Sequence, residues 1–147
     1  MLGREVSSEA IRWVSVKEID VQLSADWVVG FVDAEGCFHV SVNRQPSMTT
    51  GFQVLPEFVV VQHSRDRQLL MALKRFFGAG VVRSNHEDRD CLRIRKFDGL
   101  QKVCDFFLKH PLKTKKNTDF RKFRRIILLM EQDRHLDPEG LKEIVQI

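Results

Sequence analysis

The sequence predicts an α+β fold in which an antiparallel sheet carries helices on one face. Three observations lead to this prediction: segments of alternating polarity, segments of helical periodicity, and their order along 147 residues. Hairpins alternate with helices as α-β-β-α-β-β-α-α, with a short helix at the end. We predict that residues 1–21 are an N-terminal extension and that residues 22–147 form a single domain.

The first helix and the first hairpin are predicted at the start of this domain. Ser24 is a good N-cap for the helix ADWVVGFVD, and Gly36 supplies its C-terminal stop. The segment CFHVSVN then alternates apolar and polar residues, which predicts a half-buried strand. A second strand runs from Phe52 to Gln62, and Pro56 within it favours an edge position or a bulge.

A second helix, a second hairpin and the C-terminal helices complete the domain. Ser64 is predicted to cap the second helix and Gly78 to end it. The strands VVRSN and CLRIR are joined by the polar turn His86–Asp90. One helix then ends at Pro111, a longer one covers DFRKFRRIILLMEQ, and Pro138 lies in the first turn of a short final helix.

Composition excludes several classes of protein. With 43% hydrophobic and 30% charged residues, the chain is neither disordered nor collagen-like. Its longest apolar runs, such as Ile126–Met130, are far shorter than a membrane span. The widely spaced Cys37, Cys91 and Cys104 argue against a zinc ribbon and a disulfide framework. The first residues resemble neither a signal peptide nor a good transit peptide, so we expect a protein that is not secreted.

The net charge of +4 is unevenly distributed along the chain. Residues 1–35 carry three bases and seven acids, whereas residues 36–147 carry 21 bases and 13 acids. The segment Lys109–Arg125 alone holds eight bases and one acid. This asymmetry indicates a polyanionic partner, most often nucleic acid, and the alternative is a solvated basic face.

Hydrogen-bonding side chains occupy alternate positions on the sheet face that the helices leave free. Arg, Asn, Gln and Glu discriminate base edges in the DNA major groove, which a two-stranded ribbon fits. The alternative is the polar solvent face of any antiparallel sheet. Leu55 and Val59 share this parity, so they either contact thymine methyl groups or mark a register slip at Pro56. The predicted DNA-contacting residues are His39, Ser41, Asn43, Gln53, Glu57, Arg83, Asn85, Arg93 and Arg95.

A short motif lies at the junction of the first helix and strand, where the chain reads VVGFVDAEG within ADWVVGFVDAEGCFHV. This segment resembles the motif of the LAGLIDADG homing endonucleases, with Gly30, Asp33, Glu35 and Gly36 retained. The resemblance extends over about residues 22–147, because FVVVQHSRD and LKTKKNTDFRKFRRIILLM resemble the family's second strand and its basic loop with the following helix. It implies the family's αββαββα fold with a saddle-shaped sheet, in agreement with the order of elements predicted above.

The resemblance assigns chemical roles to four residues. Glu35 corresponds to the family's metal-binding acid, and the backbone carbonyl of Ala34 would also face the metal. Such hard oxygen ligands suit Mg²⁺, with Mn²⁺ as a substitute. Gln62 would position the attacking water, and Lys115 would stabilise phosphoryl charge or assist proton transfer. Carboxylates at an ordinary helix end are the alternative explanation for the acids.

Three basic residues near these positions are predicted to contact DNA. Lys113 and Lys116 flank Lys115 in the run LKTKK and are alternatives to it, although such a run is often simply solvated. His63, next to Gln62, is predicted to be a phosphate contact rather than a base.

Only one copy of the motif occurs in the chain, and the single-motif members of the family are homodimers. Their motif helices pair across the dimer axis, where small residues let the backbones approach. The resemblance therefore places Val29, Gly30 and Asp33 at a dimer interface, with Val29 replacing the usual alanine and Asp33 ordering the helices rather than binding metal.

The function that the resemblance implies is intron homing by an Mg²⁺-dependent DNA endonuclease. Such an enzyme hydrolyses one phosphodiester on each strand of a long pseudo-palindromic site and leaves 3′ overhangs. A strand of about ten residues, at about 3.3 Å each, covers about ten base pairs, so a dimer would read about twenty. The alternatives are an RNA maturase that binds intron RNA and a non-catalytic DNA-binding regulator.

We expect double-stranded DNA and a second copy of the chain as partners, and no membrane. The expected location is the organelle that encodes the protein, a chloroplast or mitochondrion, or a prokaryotic or archaeal cytoplasm.

Overall fold

Helices and strands follow one another in the predicted order in the computed structural model, which describes residues 21–147. All of the predicted N-terminal extension except Val21 lies outside the described residues. No helix in the described part is long and apolar enough to cross a membrane. The elements are α1 (Ala25–Glu35), β1 (Gly36–Arg44), β2 (Phe52–His63), α2 (Arg67–Phe77), β3 (Val81–Ser84), β4 (Arg89–Ile94), α3 (Phe97–Lys109), α4 (Lys116–Glu131) and α5 (Pro138–Val145), with 3₁₀ turns at Ser64–Asp66 and Arg134–Leu136.

The four strands form one antiparallel sheet in the order β1-β2-β4-β3. Strand β2 is central: Gly36 pairs with Val60 on one side, and Ile94 pairs with Phe58 on the other. The α+β prediction is confirmed, with two antiparallel hairpins joined side by side through β2 and β4.

The hydrophobic core lies between one face of the sheet and the helices. Phe58 and Val60 of β2, with Leu92 and Ile94 of β4, are completely buried there. The helices contribute a second layer of fully or almost fully buried side chains, which are Val28, Val32, Leu70, Leu73, Leu100, Val103, Phe107, Phe120, Phe123 and Ile127. Burying one such side chain contributes roughly 1.5–3 kcal/mol relative to leaving it exposed, so this layer fixes which sheet face stays free.

Pro56 occupies a position at which β2 has a neighbour on one side only. Pairing with β4 reaches Phe58 and goes no further, whereas pairing with β1 continues through Val40 opposite Pro56. The predicted edge position is therefore right locally, because β2 has no partner on one side at Pro56 and proline in sheets is found at such edges. The register has no slip, and Leu55 lies opposite Ser41 on the free face.

Gly36 ends α1, as predicted, but it does not adopt the left-handed conformation that is common at helix ends. Its backbone is extended, with φ −79° and ψ 156°. A Cβ atom at this position would lie 2.6 Å from Cγ1 of Val32 and 2.9 Å from its carbonyl oxygen. Glycine is thus required by the close turn from helix to strand, whereas Gly78 does adopt the left-handed conformation, with φ +63°, that ends α2.

Two helix starts differ from their predictions. Ser64 begins a 3₁₀ turn rather than capping α2, and its hydroxyl donates to Oδ1 of Asp90 at 3.2 Å. Helix α4 begins at Lys116, earlier than the predicted Asp119. The first turn of α4 therefore carries a lysine next to the motif helix, which bears on the candidate site.

Candidate nucleic-acid interface and active site

The free face of the sheet collects the predicted base-reading side chains. On β1 and β2, His39 lies opposite Glu57, and Asn43 lies opposite Gln53. The pairing of Val59 with Arg93 brings the alternate residues of β4 and β3 onto the same face. The predicted residues on this face are His39, Ser41, Asn43, Gln53, Glu57, Arg83, Arg93 and Arg95, whereas Asn85 lies in the turn after β3.

Asp33 joins the end of the motif helix to the basic loop that precedes α4. Its Oδ2 accepts from the backbone N–H of Lys113 at 2.8 Å. Its Oδ1 accepts from the backbone N–H of Thr114 at 3.1 Å and from the Thr114 hydroxyl at 2.7 Å. These bonds link positions 80 and 81 residues apart, so Asp33 fixes where the loop lysines lie.

The pKa of Asp33 lies below its ordinary value of 3.8. Partial burial raises this pKa, but the bonds from the Lys113 backbone and from the Thr114 hydroxyl and backbone outweigh it, with help from the charge of Lys116. The carboxylate form therefore stabilises the folded chain above the unfolded pKa. That stabilisation is lost as the pH falls through the lower, folded pKa.

Asp33→Asn is expected to destabilise the fold by about 1–2 kcal/mol at neutral pH, because the amide cannot accept all three bonds. The difference from the unchanged protein should shrink as the pH falls below 3.8, where Asp33 also loses its charge. Thermal unfolding as a function of pH measures this. Asp105→Asn, at an exposed position on α3, is the matched control. A stability difference that is constant with pH would contradict the role of the charge.

Lys116 is the lysine that the structure brings to the end of the motif helix. Its ammonium group donates to the backbone carbonyl of Gly36 at 2.5 Å, directly after Glu35. Lys115 and Lys113 are exposed beside it, and Lys113 contributes its backbone N–H to Asp33. The predicted role of Lys115 stays a prediction, but the contact with Gly36 favours Lys116.

Gln62 lies at the same end of the sheet as Glu35, two residues beyond the pairing of Gly36 with Val60. Its side-chain oxygen accepts from the backbone N–H of His63 at 3.2 Å, which leaves the NH₂ group to donate.

His63 is engaged at both ring nitrogens. Its Nδ1 accepts from the backbone N–H of Arg65 at 3.1 Å, and its Nε2 lies 3.0 Å from Oδ2 of Asp88. The imidazole therefore holds the turn after β2, and it must release Asp88 to serve as the predicted phosphate contact.

A buried carboxylate that the sequence reading missed supports this end of the sheet. Asp90 is 3% exposed, lies opposite Gln62, and accepts from Arg67 at 2.8 Å and Ser64 at 3.2 Å. The hydrogen bond from Arg67 outweighs burial and lowers the pKa of Asp90. The sequence gives little sign of this role, because Asp90 ends the polar turn His86–Asp90 that is predicted to join the two strands.

An apolar stripe of four residues lies on the outer side of α1. Trp27, Gly30, Phe31 and Ala34 follow the spacing of one helix face. Trp27 is 39% exposed and stacks on Phe31 with ring centroids 4.8 Å apart. A Cβ atom at Gly30 would have no heavy atom within 4 Å. Val29, by contrast, is packed in the chain's own core, and its place at an interface stays a prediction.

Glu35 is exposed at the C-terminal end of α1, beside helix carbonyl groups that have no intrahelical partner. These are hard oxygen donors of the kind that Mg²⁺ binds while keeping several waters. Within residues 21–147, no group of three or more His, Cys, Asp or Glu side chains could hold a metal ion. The donors of Glu35 and Ala34 therefore fit a divalent cation only as part of a larger set.

Comparison with solved structures gives close matches to this arrangement. The homing endonuclease I-TnaI is 63% identical, with a TM-score of 0.84 over 86% of each chain. The LAGLIDADG homing endonuclease I-SmaMI, bound to cleaved DNA, is 36% identical with a TM-score of 0.83 over 86% of this chain and 43% of its own. Another I-SmaMI structure has an uncleaved DNA target in the presence of calcium ions, with 27% identity and a TM-score of 0.83 over 96% of this chain and 51% of its own.

Sequence comparison points to the same group of proteins. "Probable intron-encoded endonuclease 2" of Neurospora crassa is 32% identical over 127 residues, which is 84% of this chain and 28% of that protein. The chain thus spans little more than a quarter of this relative. The family profile described as "LAGLIDADG endonuclease" matches residues 28–127, from the motif helix into α4. The chain therefore belongs to the LAGLIDADG endonuclease family.

Proposed function

We propose that the chain is a site-specific DNA endonuclease that cuts each strand of a pseudo-palindromic site and leaves 3′ overhangs. The observation that supports this most is the meeting of three features at one end of β1. Asp33 holds the basic loop against α1, Lys116 contacts Gly36 directly after Glu35, and the polar sheet face begins at the same point. An acid, a lysine and a base-reading surface are thereby adjacent.

The chain's own residues divide the chemical work in this proposal. Glu35 and the Ala34 carbonyl would hold a divalent cation, and the NH₂ group of Gln62 would donate to the attacking water and orient it. A divalent cation, when bound, would stabilise the attacking and leaving oxygens of the phosphodiester. Mg²⁺ suits these donors, and the calcium-containing structure of I-SmaMI supports a divalent cation in general.

Lys116 stabilises the charge on the phosphoryl group in this mechanism. Lys116→Ala should lower the rate of cleavage by about 10²–10³-fold, because a donor aimed at developing charge is lost. Lys115→Ala is the matched control, since it removes an exposed lysine from the next position and should cost far less. Single-turnover cleavage with enough enzyme to bind all of the DNA separates an effect on the cleavage rate from an effect on binding. A larger loss of cleavage rate in Lys115→Ala than in Lys116→Ala would show that Lys115 stabilises the phosphoryl charge.

The active enzyme contains two copies of this fold, paired through the apolar stripe of α1. The exposed Trp27 and the open space beside Gly30 support this pairing. The 43% coverage of DNA-bound I-SmaMI supports it too, because that longer chain has room for a second such fold. Pairing would place a second Glu35 near the first and complete a set of oxygen donors that one chain lacks within its described residues.

The intron-encoded relatives support action on DNA in the genome that encodes the protein, and we infer an organelle as its location. Capture of a randomised double-stranded DNA library in Ca²⁺, followed by incubation in Mg²⁺ or EDTA, tests the function. Selective capture with cutting only in Mg²⁺ is expected. Selective capture without cutting would identify a binding protein, and failure of both would favour intron RNA as the ligand.

A further inference from the structure

A carboxylate and two arginines form a compact cluster in the centre of the free sheet face. Oε2 of Glu57 accepts from Nε of Arg95 at 2.8 Å. The same oxygen lies 3.6 Å from Nε of Arg93, which is too far for a hydrogen bond. Nε of Arg93 is buried and has no hydrogen-bond partner in the described part of the chain. One carboxylate on β2 thus faces the guanidinium group of Arg93 on β4 and that of Arg95, which directly follows β4.

The contact with Glu57 leaves the outer end of the Arg95 side chain free. Because Glu57 engages the Nε edge, the terminal Nη groups of Arg95 remain available to a ligand. Those groups make the bidentate contact to guanine O6 and N7 in the major groove. The Glu57 side chain is only 16% exposed, whereas that of Arg95 is 60% exposed. The arginine therefore reaches outward, and the glutamate lies beneath it.

Stability gives little reason for this arrangement. An ion pair with one partner this exposed contributes about 0–1 kcal/mol, since water screens it. A partly buried negative charge on a DNA-binding face also repels phosphate groups and lowers affinity for any DNA. This loss of affinity is acceptable if the charge improves discrimination between DNA sequences.

We infer that Glu57 is a positioning residue for sequence recognition: it orients Arg95, and by its charge Arg93, so that both read guanine edges. Glu57 itself makes no base contact, in contrast to its predicted role as a DNA-contacting residue. The inference rests on the proposed DNA-binding function and deepens it. It places a specificity determinant of the site in a side chain that DNA does not touch.

The substitutions Glu57→Ala and Glu57→Gln separate orientation from charge. Both remove the negative charge, so both should raise affinity for non-specific DNA. Only glutamine keeps an oxygen that can accept from Nε of Arg95, so it should retain most of the discrimination at the base pair that Arg95 reads. At the base pair that Arg93 reads, both variants should lose discrimination, because Glu57 acts on Arg93 through its charge. Discrimination at the affected pair should fall by about tenfold in Glu57→Ala. Glu139→Gln, at an exposed position on α5, controls for net charge.

The test measures binding in Ca²⁺ of a library randomised at each base pair, for the unchanged protein, both Glu57 variants, Arg93→Ala and Arg95→Ala. We expect Glu57→Ala to relax the same symmetric base pairs as the arginine variants, with raised non-specific affinity. A profile that relaxes at a different pair would show that Glu57 reads a base, and an unchanged profile would remove its role altogether. Either result overturns the inference. Absence of selective binding by the unchanged protein would instead refute the proposed function.

Discussion

Glu35→Gln is expected to lower the rate of DNA cleavage by at least about 10²–10³-fold while leaving selective DNA binding nearly unchanged. Glutamine keeps the shape of the side chain but loses the anionic oxygen that binds a divalent cation. The substitution should not harm the fold, because Glu35 is exposed at the end of α1. It should stabilise the chain slightly, by about 0.3–1 kcal/mol, since a negative charge is unfavourable at a helix C-terminus.

The measurement combines single-turnover cleavage in Mg²⁺ with binding in Ca²⁺ and thermal unfolding. Glu139→Gln is the control, because it makes the same chemical change at an exposed position of α5. Loss of binding together with cleavage would make Glu35 a structural residue. Cleavage by Glu35→Gln at the rate of the unchanged protein would show that Glu35 does not bind the metal.

Gly30→Leu is expected to convert a paired protein into single chains and to abolish double-strand cleavage. The reason is steric, because a side chain at Gly30 would enter the surface that meets the second α1 helix. The single chain should tolerate the change, since nothing lies within 4 Å of the new Cβ atom. Replacing a mid-helix glycine should even favour the helix by about 0.5–1 kcal/mol.

Sedimentation across a range of protein concentrations measures this pairing directly. The unchanged protein should sediment as a dimer and unfold at a temperature that depends on its concentration, whereas Gly30→Leu should lose that dependence. Gln68→Leu places the same side chain on the exposed surface of α2 as a control. If Gly30→Leu stays dimeric and active, the stripe on α1 is not the interface.

The order of elements could be predicted because its signals are local. The alternation in CFHVSVN, and the polar residues Glu57 and Arg93 next to Phe58 and Ile94 in the chain, reflect which face of each strand packs. The choice of Gly36 as the helix end was also correct, although its physical cause is a close contact with Val32. Patterns over a few residues therefore determined the fold class and the free face.

The sequence does not predict features that depend on contacts between residues far apart in the chain. Ser64 has the chemistry of a cap, yet its hydroxyl bonds to Asp90, which lies 26 residues away. Val29 lies within a motif of helical spacing, but only the tertiary structure determines that its side chain faces the core. The contacts of Asp33 with Thr114 and of Lys116 with Gly36 each span about eighty residues. No pattern in either segment alone predicts which lysine reaches the motif helix.

Mapping of the cut positions on both strands of a captured DNA site, at single-nucleotide resolution, tests the proposed endonuclease most directly. A pair of active sites around a two-fold axis predicts one cut per strand, symmetric about the centre of a pseudo-palindrome, with 3′ overhangs and only when Mg²⁺ is present. Cuts on one strand alone, cuts scattered over many positions, or cuts that persist in EDTA would contradict a paired, metal-dependent site at Glu35.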